Sequence, residues 1–332
     1  MPTPADSLGR QMARKADITL TQLRYFVEAA TCLSMTQAAA NLLVAQSAVS
    51  TAVAQLEGQV GAQLFIRMRS KGLAMTPAGQ QLLGDARSVL GTLDEALDAA
   101  RGMDEQVRGT IRIAFFVTLA PFLLAEMMAL LAERHPHLEV DVVEVDAAEA
   151  REALRSGRAE MAVSYDFAYG DDMRREVVTT VTPHVVLPAG HALAGRSRVP
   201  LRELAGERLI LLDLPYSREY FLNVMRGAGV EPVVRHRSRG YETVRSLVAK
   251  GYGYSILNQR PRHDATYDGR TVVTRPIADE VPGLPLVVAT LRSVRATARV
   301  RAVADAVRLA ATALTSENIG KTDALEADRQ FE

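Results

Sequence analysis

The chain has 332 residues, 48% hydrophobic and 23% charged, and its 39 basic and 39 acidic residues give a formal net charge of zero. This composition is typical of a globular protein with enough chain for two or three domains. A single cysteine, Cys32, excludes an internal disulfide framework. No apolar run approaches the ~20 residues of a membrane-spanning helix, and residues 1–17 lack a signal-peptide core, so we expect a cytoplasmic protein without membrane contact.

The first two helices are predicted from their capping residues. Residues 1–17 are polar and small, and we interpret them as a disordered arm. Thr19 with Gln22 forms a capping box, which predicts a helix beginning after Thr19. Ser34 with Gln37 repeats the pattern, so a short second helix should begin at residue 35.

A third helix is predicted from Gln46 to Gly61, after a tight turn at Val44 and Ala45. Its apolar stripe consists of Val49, Ala52, Val53, Leu56 and Val60. Its opposite face carries short or uncharged hydrogen-bonding side chains, namely Gln46, Ser47, Ser50, Thr51 and Gln55. Two helices joined by a tight turn, the second polar on its outer face, are typical of a helix-turn-helix.

A basic hairpin is predicted directly after this helix. Residues 64–67 form one short strand, residues 69–72 a turn and residues 73–75 the returning strand. Arg67, Arg69 and Lys71 would then lie on a wing, where they can meet DNA phosphates. Residues 1–76 contain seven basic and four acidic side chains, a net charge of +3 concentrated in the wing.

This part of the chain closely resembles the LysR-type transcriptional regulators. The resemblance is carried by Ala38-Ala39, Gln46-Ser47-Ala48-Val49-Ser50, Gln55-Leu56-Glu57, Gly61, Leu64-Phe65, Arg67 and Thr76-Pro77-Ala78-Gly79. Two residues depart from the pattern: Ala45 stands where the family often has a capping serine, and Thr51 where arginine or lysine is common. A lost cap typically costs ~1 kcal/mol. The resemblance implies a winged helix-turn-helix over residues 18–76 that binds double-stranded promoter DNA.

A long helix is predicted from Thr76, a cap followed by proline, to about residue 103. Its apolar residues follow a heptad spacing: Leu82, Ala86, Val89, Leu93, Ala96, Ala100 and Met103. Such a seam either pairs two subunits or packs on its own domain, and we favour pairing. The resemblance implies a linker helix over residues 77–105 that forms a homodimer, and a homotetramer of the whole protein.

From residue 110 the pattern changes to alternating strands and helices. Strands 110–116, 138–145 and 160–165, with helices 119–134 and 146–156, predict a parallel sheet covered by helices. A second block contains strands 177–187, 208–212, 233–237, 254–257, 271–275 and 286–291, and helices 217–227, 241–250 and 296–313. Residues 315–332 are polar, and we expect disorder there. The fold class is therefore α+β overall.

The second half resembles the effector-binding domain of the same family by pattern. That resemblance implies a bilobed α/β domain of periplasmic-binding-protein type over residues 110–313. One lobe would contain residues 110–166 and 270–313, and the other residues 167–269. The two chain crossings would then fall near residues 167–170 and 265–269.

A small-molecule site is predicted between the lobes. Ligands of α/β sheets bind beyond the carboxyl ends of strands, near helix N-termini. The residues that meet this rule are Val117, Thr118, Tyr165, Ser217, Tyr241 and Asn258. Their hydroxyl and amide groups suit a small carboxylate. The alternative is that each is structural, with Ser217 acting only as a helix cap.

No catalytic, metal or cofactor site is indicated by the sequence. The close histidine pair His135 and His137 lacks a second ligand pair, and no G-x-S-x-G signature occurs. Two alternatives to a regulator remain: a solute-binding protein, which the helix-turn-helix argues against, and an enzyme with an accessory DNA-binding domain, which no catalytic constellation supports.

Overall fold

The computed structural model describes residues 17–68, 72–100, 107–167 and 169–327. The chain divides into two compact units, Met1–Met103 with Arg155–Arg158, and Asp104–Leu154 with Ala159–Glu332. We call them the N-terminal and C-terminal units. The arm predicted over residues 1–17 lies outside the described residues except for Asp17.

The N-terminal unit is a winged helix-turn-helix, as predicted. Its elements are α1 Leu20–Cys32, α2 Met35–Asn41, α3 Gln46–Val60, β1 Phe65–Met68, β2 Gly72–Met75 and α4 Pro77–Ala100. Thr19 and Gln22 form the predicted capping box with bonds of 3.2 and 2.9 Å. Ser34 accepts from the backbone N–H of Gln37, but the Gln37 side chain donates to Asn41 instead of closing the box.

The wing is an antiparallel hairpin fixed to the helices at its base. Phe65 pairs with Met75 at one end and Met68 with Gly72 at the other. The ring of Phe65 lies 5.6 Å from that of Phe26, and Leu64 is fully buried in the same core. The turn residues 69–71 lie outside the described residues.

The linker helix α4 divides its apolar residues between two roles. Ala86 is buried in the N-terminal core, and Leu82 packs against that core. Val89 is 50% exposed and Leu97 is 41% exposed. The first turns of the predicted seam therefore pack on their own domain, because α4 begins beside α1, and only the later turns leave apolar side chains uncovered. The seam position Met103 lies outside the described residues.

The C-terminal unit contains two sheets. The first has strand order β4-β3-β5-β12-β6. Its strands and helices are β3 Gly109–Phe116, α5 Ala120–Arg134, β4 Leu138–Val145, α6 Ala147–Arg155, β5 Met161–Tyr165, β6 Met173–Val181 and β12 Leu284–Leu291. Strand β3 pairs in parallel with β4 and β5, which confirms the predicted βαβαβ unit, whereas β12 is antiparallel to both neighbours.

The second sheet is built from strands of the middle of the chain. Its elements are β7 His184–Pro188, β8 Arg208–Leu212, α7 Ser217–Gly227, β9 Val233–Ser238, α8 Tyr241–Ala249, β10 Ser255–Leu257 and β11 Val272–Pro276. The order β10-β7-β11 is antiparallel, and the parallel pair β8-β9 joins it through a bridge between Leu209 and Tyr254.

The unit is bilobed, but its lobe boundaries differ from the expected ones. Strand β6, expected in the second lobe, pairs with β12 in the first. Strand β11, expected in the first lobe, pairs with β7 in the second. The predicted single strand 177–187 is two strands, because Pro183 between them has no N–H for the ladder. The chain therefore crosses between lobes at residues 182–183 and 277–283, and not near residues 167–170 and 265–269.

The last helix is longer than predicted. Helix α9 runs over Ala298–Ala327, so the expected disorder from residue 315 is wrong as far as Ala327. The segment has no proline, so no residue in it lacks the N–H that an α-helix needs, and the helix continues past its packed first turns. No single helix in the described ranges is long and apolar enough to cross a membrane; only the bent pair α2 and α3, at 114°, passes on length and composition together.

Candidate functional site

The outer face of α3 presents the polar residues expected there. Gln46, Ser47 and Thr51 are exposed, and Ser50 is half-buried. The Gln46 amide donates to the Ser50 hydroxyl at 3.0 Å, which links two of the predicted base-reading side chains. Gln55 is also exposed, but its side chain accepts from the buried Gln22 at 3.2 Å. Gln55 is thus partly committed to holding α3 against α1.

The orientation of α3 depends on the turn before it and on its buried inner face. Leu43 has a left-handed backbone with φ of 55°, and its side chain is 93% exposed. The N-cap residue Ala45 makes no side-chain cap, as the sequence predicts. On the inner face, Val49 and Leu56 are fully buried. The helix is therefore oriented by burial rather than by capping.

Glu57 joins the recognition helix to the wing, a role that sequence analysis missed. One of its carboxylate oxygens accepts from the backbone N–H of Leu64 at 2.7 Å and of Phe65 at 3.2 Å. Of the predicted wing contacts, Arg67 lies on β1, and its side chain is outside the described part. Arg69 and Lys71 also lie outside the described residues.

A small cavity in the C-terminal unit brings together five of the six predicted ligand residues. It has a volume of about 10 Å³, close to that of one water molecule. The first lobe contributes Thr118 after β3 and Tyr165 at the end of β5. The second lobe contributes the rest of the wall: Leu212, Ser217, Phe221, Tyr241, Asn258 and Gln259.

One hydrogen bond at this cavity connects the two lobes, and a second lies beside it within the second lobe. The buried Gln259 amide donates to the Tyr165 hydroxyl at 3.1 Å. The Tyr241 hydroxyl donates to the backbone oxygen of Gln259 at 2.5 Å. Burial raises the pKa of both tyrosines, so both remain neutral. The Asn258 Oδ1 is buried without a partner among the described residues, which leaves one acceptor at the cavity for a ligand or water.

Ser217 is the first residue of α7 and not its cap. The N-cap is Tyr216, whose backbone has φ of 65° and ψ of −37°. The Ser217 N–H donates to the Pro215 oxygen at 2.9 Å around it, the pattern of a strained γ-turn. Because the Ser217 side chain is 2% exposed and lines the cavity, the structure removes the interpretation of Ser217 as a helix cap.

A second contact between the lobes lies at the start of α6. Asp146 accepts from the backbone N–H groups of Ala148 and Glu149, both at 3.0 Å, and the Glu149 side chain accepts from the Asp146 N–H. These bonds form a capping box at the start of the helix predicted over residues 146–156. The other Asp146 oxygen bonds Arg239 of the second lobe at 3.0 Å. The cap and the interlobe ion pair therefore share one buried carboxylate.

The sixth predicted residue, Val117, lies in a larger neighbouring pocket of about 550 Å³. Tyr241 lines both the small cavity and this pocket. No group of three or more candidate metal ligands occurs in the described ranges.

Comparison with known proteins agrees with this architecture. Residues 20–80 match the model of the bacterial regulatory helix-turn-helix protein, lysR family. Residues 104–311 match the LysR substrate binding domain. The chain is similar to HinK, a LysR family transcriptional regulator from Pseudomonas aeruginosa, with 34% identity, a TM-score of 0.59 and coverage of 88% of this chain and 98% of that one.

Two curated relatives align with most of this chain. The uncharacterized HTH-type transcriptional regulator YnfL of Escherichia coli K12 is 30% identical over 80% of this chain and 89% of its own. A probable hydrogen peroxide-inducible genes activator of Streptomyces viridosporus is 31% identical over 81% of this chain and 87% of its own. With both of its domains matched, the chain belongs to the LysR family of transcriptional regulators, which are DNA-binding proteins with an effector domain and not enzymes.

Proposed function

We propose that the polar face of α3 reads promoter DNA in the major groove, chiefly through Gln46, Ser47 and Ser50. The observation that carries this proposal is the contrast between the two faces of α3: the inner face is buried, whereas Gln46 and Ser47 are exposed at the N-terminal end. Recognition helices place their base contacts at that end. Thr51 and Gln55 flank these residues, and Arg67, Arg69 and Lys71 on the wing contact phosphates.

Replacement of Gln46 tests this reading. A glutamine that pairs with adenine through two hydrogen bonds contributes ~1–3 kcal/mol of discrimination, so Gln46→Ala should relax the preference at one base pair in each half-site. The measurement is selection of sites from a random-sequence DNA library by the full-length protein. Gln59→Ala is the matched control, because Gln59 lies on the same helix and is exposed, but at the opposite end. An unchanged selected sequence for Gln46→Ala contradicts the proposal.

The interlobe cavity is the proposed effector site. Thr118 and Ser217 lie on opposite lobes of the same cavity, and both side chains are buried there, so a ligand that contacts both would favour one relative orientation of the lobes. Tyr165, Tyr241 and Asn258 complete the cavity wall, and Val117 lines the larger pocket beside it. The present volume of about 10 Å³ holds about one water, so a larger effector would need the lobes to separate.

Two near-isosteric variants test the cavity. Thr118→Val and Ser217→Ala should retain folding and DNA affinity but reduce the ligand-dependent change in DNA binding, because each removes one hydroxyl from the cavity wall. Thr312→Val is a control, since its hydroxyl bonds its own helix backbone on α9. If both cavity variants respond to the effector like the parent protein, the proposed site is wrong.

We infer that the protein is cytoplasmic and that two subunits pair through α4. The whole assembly is then a homotetramer that contains such pairs. The exposed Val89 and Leu97 on α4 support pairing. Val89→Glu should raise the dimer dissociation constant in sedimentation equilibrium, whereas Ser88→Glu, on the adjacent position, should leave it nearly unchanged. Equal effects of the two variants contradict pairing through this face.

A response to an oxidant through a cysteine of the C-terminal domain is not available to this chain. The only cysteine is Cys32, so residues 104–311 contain no thiol. We therefore propose a response to a reversibly bound small molecule.

A further inference from the structure

The larger pocket in the C-terminal unit has the size and walls of a small-molecule site. Its volume is about 550 Å³, within the ~300–1,000 Å³ usual for such sites. Pro121 and Phe122 of α5 line it from the first lobe, and Tyr241 and Pro261 line it from the second. The rings of Phe122 and Tyr241 meet edge to face at 5.5 Å between centroids. These walls suit a flat apolar body.

Three glutamates and three arginines line the pocket, and they differ in how far they are already neutralised. Arg245 is buried and bonds Glu242 at 2.7 Å, and the other Glu242 oxygen accepts from the Tyr267 N–H. This pair is structural. Glu126 and Glu144 are exposed to solvent, which screens their charges. Arg262 is exposed as well and already has a partner.

Arg260 is the exception. Within the described part of the chain it makes no hydrogen bond or ion pair, and its Nε atom is buried without a partner. Behind it lies the buried His184, which is neutral, because burial and the nearby Arg260 and Arg245 lower its pKa to about 3. The pocket therefore holds a partly buried guanidinium that no protein carboxylate neutralises, a group that matches carboxylate geometry.

We propose that this pocket binds an organic anion with an aromatic body, whose anionic group is held by Arg260 and whose ring lies against Phe122 and Pro261. The inference rests on the proposed function in one respect, since the occupant would be an effector that acts from beside the cavity of Thr118 and Ser217 and not from within it. Phe122 belongs to the first lobe and Arg260 to the second, so occupancy bridges both lobes. Tyr241 also lines the small cavity, so the occupant would touch the wall that carries the hydrogen bond to Gln259.

Calorimetric titration of the full-length protein with 2-naphthoate tests the anion requirement, and 2-naphthamide is the neutral control of the same shape. Naphthoate should bind at least about 10-fold more tightly, since a hydrogen bond to a charged group is among the stronger ones. Arg260→Gln should remove this preference, and Arg260→Lys should keep part of it. Arg235→Gln is the matched control: Arg235 is exposed on β9 and does not line the pocket.

The outcomes separate this inference from the proposed function. Equal affinities for naphthoate and naphthamide, or a preference that survives Arg260→Gln, overturn the inference. Tighter binding of 2-naphthylmethylammonium overturns it too, because Glu126 and Glu144 would then select the charge. Each preparation is also tested for binding to DNA selected from a random library: binding to DNA without binding of naphthoate contradicts only the inference, whereas no sequence-selective DNA binding contradicts the proposed function.

Discussion

Replacement of Gly79 by alanine should destabilise the junction between the wing and the linker helix. Gly79 occupies the first turn of α4, where its N–H donates to the Thr76 hydroxyl at 3.0 Å. A Cβ at this position would lie 2.2 Å from the backbone oxygen of Leu64, which already accepts from the Thr76 N–H at 3.0 Å. Because Leu64 is fully buried, the clash cannot be relieved by turning a flexible side chain.

The magnitude follows from two opposing effects. Overpacking a close contact costs about 1–3 kcal/mol and sometimes more, and a clash with buried backbone belongs at the upper end. Alanine recovers about 1 kcal/mol of helix propensity. The expected net loss is about 2 kcal/mol, which corresponds to roughly 30-fold faster amide exchange if the segment opens locally.

Hydrogen exchange of the full-length protein, read in peptides covering α3 to the start of α4, measures this loss. Gly58→Ala is the matched control: Gly58 is within α3 and has nothing within 4 Å of its added Cβ. That variant should gain about 1 kcal/mol and exchange roughly 5-fold more slowly. Exchange in Gly79→Ala that is equal to or slower than in the parent protein refutes the packing argument.

Three further changes have defined outcomes. Glu57→Ala should lower the stability of the N-terminal unit by about 1–3 kcal/mol, because it leaves two backbone N–H groups unbonded. Glu57→Gln keeps an acceptor and should cost less. Hydrogen exchange in peptides of the wing compares the two variants. Asp146→Ala should lower the thermal midpoint of the C-terminal unit by loss of a cap of about 1 kcal/mol, and Arg239→Gln should lower it less, because that side chain is exposed. The pKa of His184 is lowered from 6.5 to about 3 by burial, so below pH 6.5 only the unfolded chain takes up this proton. This group should therefore lower the free energy of unfolding by about 1.4 kcal/mol for each pH unit below 6.5. The thermal midpoints at pH 7 and pH 5 should differ less in His184→Gln than in the parent protein. An equal difference in both proteins contradicts a buried, neutral His184.

Local chemistry predicted the element boundaries well. The capping pairs Thr19 with Gln22 and Asp146 with Glu149 mark helix starts in the structure as the sequence indicates. Gly61 ends α3 with φ of 75°, the left-handed conformation that favours glycine. These features depend on residues within one turn of each other, so a single sequence contains the whole interaction.

Long-range pairing was not predictable in the same way. Strand β6 pairs with β12, which lies more than 100 residues later, and no local pattern specifies that partner. The position of Gln259 between Tyr165 and Tyr241 likewise depends on the packing of two lobes. The rule for strand ends nevertheless placed Thr118, Ser217 and Asn258 together, because it depends on topology and not on side-chain detail.

The late position of β12 has a consequence for synthesis on the ribosome. Strand β6 has β12 as its neighbour in the sheet, and β5 pairs with β12 on one side. Until residues 284–291 emerge, β5 and β6 carry unpaired edges, whereas every strand of the second sheet has already been made. The nascent chain must therefore complete its middle segment first and hold an open sheet until residues 284–291 have emerged, and a chain released before residue 284 should aggregate through those edges.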